Sequence, residues 1–544
     1  MSKKIRILLA VLLVGMLVLP GCKPATSKAT IIIGVTDQIA SLDSADAYAT
    51  HDWELLKNIG EGLLVWKPGS ASELIPGIAK SMPEISADGL TYTLKLKSGI
   101  KFGDGLALTA PLYVQQFNRL MTIGPSCPND VADTLVVPYV KSVTAPDDST
   151  IVFNLKVAIA FFPQLLASAP YLPSHPDTFP LDKCVLDPVA PIYGVGPWYI
   201  SQYTLNEQLV LLPNPYYKGD RKPQVGQIII RYFSDPQTLA LAIQNGEIDI
   251  AWRFLDPELI DQLRGVSGLT VGDISGGAIR YLILNHTMAP MNDPNVVKAF
   301  ASTIDRDAII DTVYKGAAAT LLSMNPPGFL GATDAFDTMY KSPNITAANQ
   351  FLAASGYDAN NKCKIELWYP PDHYGAATAA WMQLIKQQLE AANFTVDLKA
   401  QEWSTYVSAL TGGDSYQAGV LGWFYDYPDP SNYLDPFVYN GGMGTNITAA
   451  AEGSSYGKPI NDKAAQLVDL LSKADVETDI AKRTDLYKQA QDIYADLVVT
   501  VPIIILGEHV TYRSNIHGLS SYGNASTLNI ATNIEFNYST LTKK

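Results

Sequence analysis

The chain has 544 residues, of which 47% are hydrophobic, 10% aromatic and 17% charged, and its formal net charge is −14. That length exceeds what one hydrophobic core supports and calls for two or three domains, while the composition is globular rather than disordered. The 39 basic residues are scattered and outnumbered by 53 acidic ones, which excludes a nucleic-acid partner.

Lys3, Lys4 and Arg6 precede an apolar run over residues 7–19, too short to remain as a spanning helix, and Leu19-Pro20-Gly21-Cys22 follows. A charged start, an apolar middle and a small residue before cysteine make an export signal of the lipoprotein type. It predicts loss of residues 1–21, a diacylglycerol on the Cys22 sulfur and a small, polar tether over 22–30. No later stretch approaches spanning length, so the expected location is extracytoplasmic, on a membrane through lipid alone. Cys127, Cys184 and Cys363 remain, an odd number that allows at most one disulfide. Cys127 and Cys184 are the expected pair, since both fall within one domain. No cysteine or histidine pair has zinc spacing, and neither a metal nor a cofactor is expected.

Residues 31–35 read as a buried strand, 37–45 as turns and 51–59 as a helix. Residues 86–96 alternate apolar and polar side chains, as a half-buried strand does, after the Asp88-Gly89 turn. Thr109 is placed to cap a helix over 109–120, with Pro111 near its first turn. Residues 121–190 read as irregular and proline-rich apart from a strand at 150–155. Gly194-x-Gly196 lacks the third glycine of a phosphate loop and Pro197 removes a donor, so it reads as a tight turn. A strand at 227–233 leads to a helix at 236–245, a glycine stop and a strand ending at Trp252.

Residues 281–285 read as a strand, and 295–301 and 307–314 as helices, with Asp305-Arg306 between them as an ion pair at a helix start. Helices at 347–354 and 376–392, with strands at 364–369 and 394–400, give the order expected of α/β layers. Helices at 463–471 and 478–497, a strand at 498–506 and a polar, turn-rich tail over 512–544 close the chain.

The segment 422–437, after the short apolar run 418–423, places Asp426, Asp429 and Asp435 among six aromatic residues, and its prolines forbid a helix interior. Aromatic faces beside fixed carboxylates suit a ligand with an ammonium group and an apolar body. Against this stands the plain alternative of an aromatic turn that caps a core.

Several motifs fall in a fixed order. Glu61-Gly-Leu, Leu74-Ile-Pro-Gly-Ile-Ala, Asp88-Gly-Leu-Thr-Tyr-Thr-Leu and Gly99-Ile-Lys-Phe-Gly-Asp-Gly lie near the front. Gly194-Val-Gly-Pro-Trp, Asn245-Gly-Glu-Ile-Asp, Leu284-Asn-His-Thr, Asp293-Pro-Asn-Val-Val-Lys-Ala-Phe, Ile304-Asp-Arg and Gly422-Trp…Asp426…Asp429-Pro follow. In this order the chain resembles the family 5 solute-binding proteins of ABC importers, which include oligopeptide-, dipeptide- and nickel-binding proteins.

The resemblance implies an α/β, class II periplasmic-binding-protein-like fold of two lobes, with an inserted extra domain and a hinge. The implied division is 31–78, 196–284 and 506–544 for lobe 1, 79–195 for the insert and 285–505 for lobe 2. It also implies that Asp426 holds a ligand ammonium, whereas Asp429, before Pro430, reads as structural. Trp423, Tyr427, Trp403 and Trp252 are candidate cleft aromatics. The segment 368–385, where dipeptide binders carry an arginine for the ligand carboxylate, has none; His373 is the weak substitute there. That departure points away from a plain dipeptide.

No Gly-x-Ser-x-Gly, His-Glu-x-x-His or Walker pattern is present, so catalysis is not expected. The expectation is a monomeric, lipid-anchored receptor that passes peptides or peptide-like solutes to an ABC permease. An oligosaccharide receptor is the alternative, and a surface hydrolase a distant one.

Overall fold

A computed structural model describes residues 28–67, 73–129, 131–252, 255–371, 373–374, 377–412, 416–451, 454–519 and 536–544. The export signal and Cys22 lie outside the described residues.

The organising element is a mixed sheet of eleven strands. Thr30–Val35 lies at the centre of its first half, parallel to Gln227–Tyr232 on one side and to Ile250–Trp252 on the other. Ile31, Ile33 and Val35 are buried, which suits a strand covered on both faces. Gln208–Pro213 and Trp198–Thr204 extend this half outward as antiparallel strands. In the second half Cys363–Tyr369 is parallel to Phe394–Ala400 and to Ala418–Trp423, and the helix Ala377–Ala391 makes the crossover between the first two.

Two long antiparallel strands, Leu269–Leu284 and Thr500–Arg513, run through the sheet and join the halves. At one end Leu269 pairs with Arg513; at the other Ile283 pairs with Thr500, with the register shifting between Ser275 and Ile279. Val510 packs in the core of the first half, whereas Leu282, Ile283, Val501 and Ile505 belong to cores of the second. These strands are longer than the 281–285 and 498–506 expected from the sequence, because their apolar runs continue into a less apolar crossing region.

A separate sheet of four strands, Glu84–Ile85, Thr91–Lys95, Thr150–Leu155 and Val140–Asp147, packs on the first half with the helix Ala110–Ile123. Thr109 caps that helix by accepting from the Leu112 N–H. Here the expectation of an irregular 121–190 is corrected. Val131–Leu135 is helical, and Val140–Asp147 forms a hairpin with the 150–155 strand. Only Val140 and Val143 are buried along that strand, a pattern too sparse to announce it. Cys127 and Cys184 form a disulfide with Cα atoms 6.0 Å apart, and the Cys363 thiol is buried and free. Gly194 and Gly196 lie against the backbone of Ile59 and Gly60, where any Cβ would collide.

Two local readings also change. Asp305 caps the helix Arg306–Thr312, accepting from the Ala308 N–H at 2.9 Å, while the buried Arg306 pairs instead with Asp337 at 3.4 Å. Of the tail expected over 512–544, residues 520–535 lie outside the described residues, and the described end, 536–544, is less solvated than its composition suggests. Phe536, Tyr538 and Leu541 are buried, and Asn58 holds the backbone at Phe536 and Tyr538.

Candidate functional site

Between the two halves lies a cavity of about 550 Å³, a size ordinary for small-molecule sites. The first half supplies Asp37, Tyr48, His51, Trp53 and Lys57, the last four on or just before the helix Thr50–Ile59, together with Trp66. The second half supplies His373 and residues 423–428. The aromatic loop thus forms one wall. It leaves the strand Ala418–Trp423, bends over residues 426–429 and turns at Pro430 into the short helix Ser431–Leu434. Pro430 occupies the N-cap rather than the interior, as a residue without an N–H must.

Asp426 is half-buried by area because it opens onto the cavity, yet it sits deep between the halves. Asn432 braces it from both sides: its Nδ2 donates to Asp426 Oδ2 at 2.9 Å, and its Oδ1 accepts from the Asp426 N–H at 3.0 Å. The same Oδ1 accepts from Trp423 Nε1 at 3.1 Å, so one amide sets the loop, the carboxylate and the indole. The Tyr48 hydroxyl donates to Asp426 from the opposite half. Burial pushes the Asp426 carboxyl up to about 6 even though Asn432 and Tyr48 favour its charged form. A carboxylate so placed gains most from an incoming cation, which offsets its lost hydration.

Tyr427 lines the cavity edge and crosses the interface. It is 5% exposed, stacks on Phe161 of the first half at 5.0 Å and 11°, and bonds Tyr139. Trp423 lines the cavity and meets Phe437 edge-on. His373 also lines it, stacked on Trp403 at 3.5 Å and 3°; Trp403 stands behind His373 and is not a lining residue. Burial and the nearby Arg280 both lower the His373 pKa, which favours the neutral ring over a carboxylate clamp.

Trp252 corrects an expectation. It is fully buried away from the cavity, stacks on Phe536 at 4.0 Å and donates to Glu54 Oε2 at 3.0 Å, fastening the C-terminal tail. A tryptophan ending a short buried strand has the same local sequence whether it faces a cleft or a core.

Asp429 serves the loop rather than the cavity. Arg483 grips it with two bonds of 2.6 and 2.8 Å, and Ser431 donates to it from N–H and hydroxyl. Among described residues, groups of three or more His, Cys, Asp or Glu that could hold a metal are absent. Sequence reasoning missed Asn432, Tyr48 and Lys57. Asn432 alone had a local signal, six residues from Asp426 in the same turn; the others reach the site only through folding.

A family model described as "Bacterial extracellular solute-binding proteins, family 5 Middle" matches residues 73–445. The chain belongs to family 5 of the bacterial extracellular solute-binding proteins. It is 25% identical over 524 residues to the oligopeptide-binding protein OppA of Bacillus subtilis, covering 92% of this chain and 91% of that protein. In fold it is similar to the Helicobacter pylori periplasmic binding protein DppA in complex with peptide STSA. The TM-score there is 0.74 at 23% identity, covering 95% and 98% of the two chains. It is likewise similar to NikA from Brucella suis in complex with Fe(III)-EDTA, with a TM-score of 0.79 at 20% identity, covering 94% and 100%. The protein is a solute receptor of the ABC-transporter class with the periplasmic-binding-protein fold, and members of this family are binding proteins rather than enzymes. The distant hydrolase reading is therefore set aside.

Proposed function

We propose that this family 5 protein is a lipid-anchored, monomeric receptor that encloses peptides or peptide-like solutes between two lobes and delivers them to an ABC permease. The observation that carries this is Asp426: a carboxylate held in place by Asn432, facing a cavity between the halves, and raised by burial until a cation compensates it. The oligopeptide relative supports the same ligand class. Lobe 1 is assigned to 31–78, 196–284 and 506–544, lobe 2 to 285–505 and the inserted domain to 79–195, with the crossing strands as hinge. Export and lipidation at Cys22 follow from the N-terminal pattern. Among described residues no helix is long and apolar enough to cross a membrane.

The test is native mass spectrometry and thermal shift against a mixed peptide library. Retained peptides and a raised melting temperature are expected; silence across the library overturns the peptide reading. Trp53, Trp66 and Trp423 on the cavity wall support the alternative of oligosaccharides, on which aromatic faces also stack. Calorimetric heat from oligosaccharides without any from peptides would select it.

A further inference from the structure

Among the described residues, one buried cation has no counter-charge. Arg280 lies on the crossing strand Leu269–Leu284, where the pairing shifts between Arg280–Ile504 and Tyr281–Pro502. It is 6% exposed. Its Nη1 donates to the Ile279 carbonyl at 3.1 Å, its Nε is buried without a hydrogen-bond partner, and no carboxylate among the described residues pairs with it. The other deeply buried arginines are answered: Arg119 by Asp43, Arg483 by Asp429, and Arg306 by Asp337 at 3.4 Å.

The neighbours of Arg280 belong to the segments that carry the site. Its guanidinium lies 4.4 Å over the Tyr374 ring and 6.0 Å from Phe424. Gly422 begins the aromatic loop, and a Cβ there would strike Nη1 and come 2.9 Å from Cζ, so only glycine leaves the guanidinium its place. The Gly422 N–H also bonds Tyr374, which fixes the ring under the charge. Phe424, beside Arg280, and His373, next to Tyr374, both line the cavity. A fork of N–H donors held on aromatic rings matches a carboxylate in geometry, and an uncompensated buried cation is stabilised strongly by receiving one.

We infer that Arg280 is the anion-binding residue of the site: it receives a carboxylate of the ligand at the His373–Phe424 end of the cavity, while Asp426 receives the ammonium. This rests on the proposed peptide reading and deepens it, giving the ligand as a zwitterion. Gly422 adjoins the guanidinium and Asp426 is four residues on, so at most about 14 Å of backbone lies between the positions beside which the two charges stand. That span suits short peptides, and it supplies from the hinge strand the arginine that the segment 368–385 lacks.

The experiment compares wild type, Arg280→Gln and Gly422→Ala by calorimetry, using one library peptide as free acid and as C-terminal amide. Sodium propionate, as a bare carboxylate, is added in a thermal-shift arm. Wild type is expected to prefer the acid at least tenfold and to be stabilised by propionate. Arg280→Gln should bind acid and amide alike and ignore propionate, and Gly422→Ala should lose most of the preference. Without ligand, Arg280→Gln should melt no lower than wild type, because an unpaired buried charge is removed; a merely structural arginine would give the opposite.

Equal binding of acid and amide by wild type, or an acid preference surviving in Arg280→Gln, overturns the inference while leaving peptide binding intact. Failure to bind any peptide, with propionate still stabilising wild type alone, overturns the peptide reading and keeps the anion site. Silence in both arms overturns both.

Discussion

Asp426 sets the pH behaviour expected of the site. Its folded pKa of about 6 lies above the ordinary value of 3.8, so its contribution to the unliganded fold is present below about pH 4 and is lost as pH rises through 6. A bound ammonium needs the ionised form, which reverses the preference. Affinity for an ammonium-bearing peptide is therefore expected to be level above pH 7 and to fall toward tenfold per unit below pH 6, measured by calorimetry. Asp426→Asn should weaken that peptide by roughly 2–4 kcal/mol and flatten the pH profile. An unchanged affinity would remove Asp426 as the anchor. The Asp and the aromatics beside it were visible in the sequence because they share one turn. Tyr48, more than 350 residues earlier, became its partner only through closure of the halves.

Between its strand and its short helix, the segment 422–437 is pinned by buried charge. Asp429 is 2% exposed and takes a bidentate grip from Arg483 of the helix Ile480–Leu497. Asp429→Asn leaves that arginine buried and half-paired, and should cost about 3–5 kcal/mol in denaturant unfolding.

Beside this pair, Asp435 and Asp475 hydrogen-bond each other, with Tyr439 donating to Asp475 at 3.0 Å and Asp429, Arg483 and Tyr139 facing them. Burial first, then their mutual repulsion, raises Asp435 well above the carboxylate range, and burial raises Asp475. Two raised carboxyls stabilise the fold where they share a proton, and that stability is lost as pH rises through their folded values. The melting temperature should accordingly fall from pH 6 to pH 9, and Asp435→Asn should reduce the slope; an identical slope in the variant would rule the pair out as its source. The sequence showed acidic residues in this loop but not that Asp475, forty residues on, completes the pair, since its helix reads as an ordinary amphipathic one.

For the whole molecule, the crossing strands and the interface contacts act together. The Ala160 N–H donates to the Asp475 carbonyl at 2.7 Å and Phe161 stacks on Tyr427, so the first half is fastened to the second beside the cavity. Tyr427→Ala is expected to loosen this closure. With peptide at saturation, its radius of gyration by small-angle X-ray scattering should exceed that of wild type, and equal radii would show that the stack does not hold the halves together.

The sequence by itself determined the α/β class, the order of most elements, the family, and the loop that carries Asp426. Those follow from hydrophobic period, glycine and proline punctuation, and motifs in fixed order, all properties of neighbours along the chain. It misjudged the 140–147 strand, whose burial is sparse, and the placement of Trp252, whose surroundings come from Glu54 and a tail nearly 300 residues away. Only the tertiary structure decided that Asp426 meets Tyr48, that Asp429 is taken up by Arg483, and that a buried arginine with no carboxylate partner among the described residues stands beside Gly422. The physical reason is common to all three: a charge is compensated through space, and which charges share a low-dielectric region is fixed by how distant segments pack.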